Sequence, residues 1–329
     1  MSSTEASTTH HAEDLTPRQR KTYQAPQGEA ARSRREARRR RLPLLPALVL
    51  VIVATQLPFL TTIVVSFMDW NALRPDQRGF AGFDNYVAVF SNSATRGAVV
   101  TTVVLTVVVV GVSLVLGTLI ALLLDRQFLG RGLVRTMMIA PFLVVPVAAA
   151  LLWKHALLNP SFGLFNGVLT WVWSLFGSSN PPQVAWLTQY PLLSIEMALI
   201  WQWTPFMMLI ILAGLQSRPM DVVEAARVDG ANALQIFRHL TFPHLRRYLE
   251  LGGLLGAIYI VQNFDAVFIM TAGALGTANL PYTIYATFFQ RQDYGLASAQ
   301  GVVVVIGTII IATFALRVVS SLFDEENHR

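Results

Sequence analysis

The chain has 329 residues, of which 53% are hydrophobic and 13% charged, with a mean hydropathy of +0.50 and a formal net charge of +6. Soluble domains carry about 25% charged residues, so an ordinary soluble enzyme is excluded; several apolar runs of roughly 20 residues define an all-α polytopic membrane protein. The absence of cysteine excludes a disulfide framework and a thiolate metal site, and the positive excess sits in one N-terminal Arg cluster that suits membrane topology better than nucleic acid.

Residues 1–41 form a polar tail ending in Arg32-Ser-Arg-Arg-Glu-Ala-Arg-Arg-Arg-Arg41. No apolar core for a cleavable signal lies near the start. The tail is expected to be disordered and cytoplasmic, its Arg cluster holding the N-terminus inside and touching anionic head groups. Six spans are expected within one transmembrane domain, 42–323, at about 44–67, 98–124, 136–153, 192–215, 249–271 and 299–322. Pro46 and Pro58 fall in the first, and Pro141 and Pro146 interrupt the third. Between the third and fourth, Phe162–Leu175 is apolar but short, an interfacial or re-entrant helix with Trp171 and Trp173 near the head groups. Residues 324–329 are a short polar tail. With the N-terminus inside, 125–135, 216–248 and the C-terminus are cytoplasmic, and the Arg clusters fall there. The outer loops 154–191 and 272–298 are poor in Lys and Arg, although Arg74, Arg78 and Arg96 lie in the first outer loop.

The polar stretch 217–243, between the fourth and fifth spans, carries the sharpest pattern. Ser217, Arg218 and Pro219 open a helix over Met220–Val228, with Asp221 and Glu224 near its positive N-terminal end. Gly230 stops it, because glycine takes the left-handed conformation without a Cβ clash. A second short helix is expected from Ala231 to about Leu240, closed by Pro243. The small residues Ala225, Ala226, Gly230 and Ala231 leave a flat surface for another protein. Glu224-Ala-Ala, then Gly230, Leu240, Phe242 and Pro243 resemble, in order and spacing, the EAA loop of ABC importer permeases. Leu240 stands where that family usually has Ile, and Phe242 where it usually has Leu.

The likeness extends over about 44–322 to the carbohydrate, maltose-permease-like branch. Ser66-Phe-Met-Asp-Trp70, Gly82-Phe-Asp-Asn-Tyr86, Trp201-Gln-Trp-Thr-Pro-Phe206 and Ala213-Gly-Leu-Gln216 carry it. Asn159-Pro160 and Phe242-Pro-His-Leu-Arg246 lean toward sugar-alcohol permeases for mannitol or sorbitol. Thr271-Ala-Gly273-Ala-Leu departs from the family's usual Thr-x-Gly-Gly-Pro. The resemblance implies a complex with a second homologous permease, a dimer of an ATP-binding subunit and an extracellular solute-binding protein, carrying a sugar or sugar alcohol across the bilayer of the cell membrane. It also implies that Glu224, Ala225, Ala226, Asp229, Gly230, Ala231, Leu240 and Pro243 couple to the ATPase. Glu224 would pair with a basic group there; Asp229 would contribute likewise, or serve only as a local cap or a partner of Arg227. No GxxxxGKS or GxxxxGKT run is present, so ATP is expected to bind on a separate chain, and this chain to hold no cofactor or metal and perform no catalysis.

Polar groups inside a bilayer are costly and mark pathways by default. In the fifth span, Tyr259, Gln262 and Asn263 share one helical face by i, i+3 and i, i+4 spacing. With Asp265 and with Gln202 of the fourth span they are the candidate substrate path, since amides and tyrosines both donate to and accept from hydroxyls. The alternative is interhelical hydrogen bonding that holds the bundle or the partner permease. Two other classes fit the sequence less well. A secondary, ion-coupled transporter would show paired halves and has no use for such a loop; a membrane enzyme would need a nucleophile or metal cluster, and none is visible.

Overall fold

The computed structural model describes residues 45–177 and 181–327; the basic tail and its topological reading lie outside them. The chain divides into two units, residues 1–61 and 62–329. Helix α1 is Leu45–Ser66, uncharged and mostly apolar, and long enough to cross a bilayer.

After α1 the chain makes a short antiparallel ribbon, β1 (Met68–Asp69) with β2 (Gly79–Phe80), Met68 facing Phe80 and Asp69 facing Gly79. Then come α2 (Asp84–Ser91) and α3 (Ser93–Asp125), whose N-cap Asn92 accepts from the Ala94 amide. The first-turn Asn85 donates to the carbonyls of Ser66 and Met68, both at 2.9 Å. At 33 residues, α3 is ~50 Å long, well beyond the ~30 Å hydrocarbon layer.

The expected third span is a bent pair. Helices α4 (Arg131–Leu143) and α5 (Pro146–Leu151, continued by a wider π turn over Leu152–Leu157) meet at 94°. Pro146 is the cause: it disfavours helical backbone in the residue before it, and Val144 and Val145 are extended. Helix α6 (Leu164–Leu175) occupies the stretch read as interfacial or re-entrant, with Leu164, Val168, Trp171 and Leu175 exposed along one side. Asn166 anchors it, buried and bonded to the carbonyls of Pro160 and Val184 and to the Trp186 ring N–H.

After the short α7 (Trp186–Gln189), α8 (Pro191–Gln216) is the hub. One half packs Ile195, Ala198, Leu199 and Met207 against Leu105, Val109 and Val110 of α3 and Trp153 of the π turn. The other packs Met208, Ile211, Leu212 and Leu215 against Ala121 and Leu124 of α3. Between membrane-spanning helices such contacts stabilise by close van der Waals packing, because lipid tails are as apolar as these side chains.

Beyond α8 lie α9 (Met220–Val228), α10 (Ala233–Ile236), α11 (Phe242–Val261), α12 (Asp265–Met270), α13 (Leu280–Tyr285) and α14 (Tyr294–Asn327). Two boundaries correct the sequence expectation. The fifth span is not continuous: α11 ends at Val261 and α12 begins at Asp265. The last helix starts five residues earlier than expected, at Tyr294, and continues to Asn327, into the stretch read as a polar tail. Its start is fixed from the β-ribbon side, where the Tyr294 amide donates to the Trp70 carbonyl at 2.9 Å and the two rings meet edge to face. Among the described residues, α1, α3 and α8 are long and apolar enough to cross a membrane, and the bent α4–α5 pair meets the same test jointly.

Candidate functional site

The elbow between α8 and α11 is built by three local devices. Helix α9 ends in a glycine turn: Gly230 has φ +88, its amide donates to Arg227 O and the Ala231 amide to Ala226 O, at 3.1 and 2.9 Å. This paired pattern satisfies carbonyls that a helix end would leave bare. Helix α10 starts with a capping box. Asn232 Oδ1 accepts from the Gln235 amide at 2.9 Å, and Gln235 Oε1 accepts from the Asn232 amide at 2.7 Å. The third device is a π turn over Phe237–Thr241 that leads directly into α11.

Two expectations change here. The second short helix starts at Ala233, not Ala231, because Asn232 and Gln235 cap it. Pro243 does not close it; Pro243 sits in the first turn of α11 and the chain stays helical from Ala233 to Val261. The π turn makes this possible. A proline inside a helix has no N–H and presses on the carbonyl four residues back. Widening the preceding turn, with the Phe242 amide reaching back to Phe237 O, makes room for its ring.

Of the residues expected to couple to the ATPase, Ala226, Asp229, Gly230, Ala231 and Leu240 line one open hollow of about 430 Å³, together with Gln235, Ile236 and His239. Glu224, Ala225 and Pro243 are exposed but stand outside its lining. Among the described residues neither Glu224 nor Asp229 forms an ion pair, so the local Asp229–Arg227 pairing is not made. Large apolar side chains face outward beside the hollow, Val228 at 87% and Leu234 at 73% exposure.

The elbow is braced at its base by residues that the sequence did not single out for this. Arg218 Nη2 meets Asp125 Oδ2, at the end of α3, at 2.7 Å, and Arg218 Nη1 donates to Thr241 Oγ1 at 3.0 Å. One guanidinium therefore ties α3, the start of the elbow and the π turn. Beside it, the Ser217 hydroxyl lies 2.7 Å from Tyr248 OH and 3.2 Å from His244 Nε2, and His244 Nε2 lies 3.1 Å from Gly214 O. Gly214 must be glycine, since a Cβ there would stand 2.5 Å from the Tyr248 ring. These partners are 23 to 93 residues apart in sequence, so no local spacing announces them.

Within the span region, the candidate path residues are not gathered together. Gln202 is buried and its Nε2 donates to Val144 O at 3.0 Å, satisfying the carbonyl freed at the α4–α5 bend. The shared face of Tyr259, Gln262 and Asn263 does not exist, because the helix stops at Val261. Gln262 bonds back to Ile258 O at 3.2 Å, the Asn263 carbonyl accepts from Asn279 Nδ2, and Asp265 begins α12. Tyr259 instead belongs to an aromatic group: its ring lies 5.2 Å from Trp203, which lies 5.7 Å from Phe142 and 5.6 Å from Phe206. Tyr259 is exposed and the other three rings are half-buried, so the group offers ring surface and one hydroxyl. Phe142 and Phe206 were not among the expected path residues; the meeting of α4 with α8 brings Phe142 to Trp203 and Phe206.

Comparison with known proteins gives the family. Residues 113–324 match the model of the binding-protein-dependent transport system inner membrane component. A probable ABC transporter permease protein of Sinorhizobium fredii is 35% identical over 272 residues, covering 82% of this chain and 85% of the relative. The trehalose/maltose transport system permease protein MalF of Thermococcus litoralis is 34% identical over 268 residues, covering 80% and 88%. The trehalose transport system permease protein SugA of Mycobacterium tuberculosis is 30% identical over 271 residues, covering 82% and 84%. In fold, the chain is similar to one from a bacterial ABC transporter involved in the import of the acidic polysaccharide alginate, with a TM-score of 0.72 at 23% identity over 88% of this chain and 99% of that one. The chain belongs to the family of binding-protein-dependent transport system inner membrane components and is a multi-pass permease subunit of an ABC transporter.

Proposed function

We propose that this permease imports a carbohydrate, a sugar or sugar alcohol, and that a separate ATP-binding subunit grips its elbow at 217–243. The observation that carries the coupling is the Arg218 brace. It joins the elbow to the end of α3 at 2.7 Å, while α10 runs on through the π turn into α11 as unbroken helix. A rotation applied at the hollow then passes into three helices together. Glu224, Asp229 and the exposed Val228 and Leu234 are the contact set. Gly230 supplies the bend. The elbow and both termini lie on the cytoplasmic side in this reading, where the loops hold most of the Lys and Arg.

The carbohydrate assignment is supported by the relatives that carry trehalose or maltose in their names and by the aromatic group around Trp203 and Tyr259, because flat rings stack on the apolar faces of sugar rings. A second homologous permease completes the path, an ATP-binding dimer drives it, and an extracellular solute-binding protein delivers the substrate. A secondary, ion-coupled carrier finds no support in the family. The test is uptake of labelled trehalose, maltose, mannitol and sorbitol by a deletion strain and its complement. Uptake should return for at least one of them with the wild-type chain. Restored import that persists without any ATPase subunit would overturn the reading.

A further inference from the structure

On another side of α11 from the aromatic group runs a narrow apolar slot of about 400 Å³. Ala257 and Val261 of α11 line it; Tyr259, two residues from each, is turned ~200° away around the helix axis. The slot is thus separate from the proposed sugar path. Its long wall is Val99, Val103 and Val107 of α3, one helical face, and its other wall is Val303 and Val304 of α14. Two polar features interrupt it at one end. Arg96, in the first turn of α3, is held at the rim by Nη1 bonds to Phe90 O and Ser91 O at 3.3 and 3.1 Å. Gln300 is 2% exposed; its Nε2 reaches Thr95 Oγ1 at 3.4 Å, and its Oε1 has no partner.

We infer that this slot is a binding site for a bilayer phospholipid, with an acyl chain between α3 and α14, the phosphate at Arg96 and a hydrogen-bond-donating head group toward Gln300. Three observations select this occupant. From Val99 inward along α3 the lining is valine together with Thr102 and Thr106, whose hydroxyls are spent on the carbonyls of Ala98 and Thr102 at 2.7 Å, so it presents a hydrocarbon chain with little unsatisfied polar surface. The one charged lining residue is a cation at the mouth, matching a phosphate, and an arginine presents the planar fork that suits phosphate oxygens. A buried acceptor without a donor is costly, and an ethanolamine or glycerol head supplies that donor where a choline head does not.

The test uses the purified transporter complex, delipidated and titrated with defined lipids under native mass spectrometry. Phosphatidylglycerol should bind the wild-type complex at least tenfold more tightly than diacylglycerol of the same chains, and more tightly than phosphatidylcholine. Val103→Trp, or Val107→Trp as a second variant, should abolish that preference; both valines are exposed, so the fold tolerates the change, and an unchanged melting temperature checks this. Arg96→Gln should bring phosphatidylglycerol down to the level of diacylglycerol, and Gln300→Leu should remove the preference over phosphatidylcholine. Undiminished binding in both tryptophan variants overturns the proposal. So does equal binding of diacylglycerol by the wild type, or capture of a polypeptide in place of lipid by a photo-crosslinker at Val107. Sugar uptake is not the readout, so failure here is distinguishable from failure of the carbohydrate reading.

Discussion

Ile195, Leu199, Met207, Met208, Ile211 and Leu212 of α8 are all withdrawn from solvent, whereas a short way beyond the end of that helix Val228 and Leu234 are 87% and 73% exposed. The shaft is stabilised by close van der Waals packing on α3 and by close helix approach at Gly214. The elbow is stabilised locally, by a glycine turn, a capping box and a π turn, and spends little apolar surface on the rest of the chain. The contrast separates two tasks. A shaft packed on α3 moves only as part of the bundle, and an elbow whose apolar residues face outward is shaped for a partner to cover. The Arg218 brace is where the two meet.

Substitutions can break or sharpen that division. The largest functional effect is expected from Gly230→Pro. Proline cannot adopt φ +88, so α9 and α10 lose their angle; the chain should still insert, while uptake and co-purification of the ATPase subunit are abolished. Normal uptake in that variant would remove the elbow from the coupling. The largest loss of stability belongs to the shaft. Gly214→Leu drives a side chain into the Tyr248 ring and should cost about 3 kcal/mol, read as a lower melting temperature. If its melting temperature matches wild type while coupling is lost, the division is drawn in the wrong place.

Arg218→Ala tests the junction. It removes charged hydrogen bonds and leaves Asp125 unpaired, at a cost of ~2 kcal/mol. Arg218→Ala combined with Asp125→Ala should recover part of that cost, and strict additivity would show that the pair is not coupled. Leu234→Glu should leave the melting temperature unchanged yet weaken ATPase co-purification about tenfold, the equivalent of ~1.4 kcal/mol. Asn232→Ala removes only a cap and should cost ~1 kcal/mol, visible as a small drop in melting temperature with uptake retained.

The same contrast explains what could be read in advance. The bounds of α9, Met220–Val228, were legible because Pro219 and Gly230 act within one turn of themselves. The start of α10 was legible in principle, in the Asn232-x-x-Gln235 box, but small residues drew the boundary two positions early. Pro243 was misread as a stop because a proline ends a helix unless the turn before it widens, and a π turn has no simple sequence signature. Tyr259, Gln262 and Asn263 were placed on one face by helical spacing. That face vanished because Asn279, 16 residues further on, takes the Asn263 carbonyl where α11 stops.

From the residues alone came the membrane class, the glycine-bent elbow and the family, because composition, hydropathy and motif spacing are properties of neighbours along the chain. The bent α4–α5 pair owed its position to Pro146 but its satisfied carbonyl to Gln202. The Arg218 brace, the aromatic group around Trp203 and the slot beneath Arg96 were decided only by the tertiary structure. Each depends on side chains from separate helices meeting at a few ångströms, and such meetings follow from how the helices pack, which no local pattern encodes.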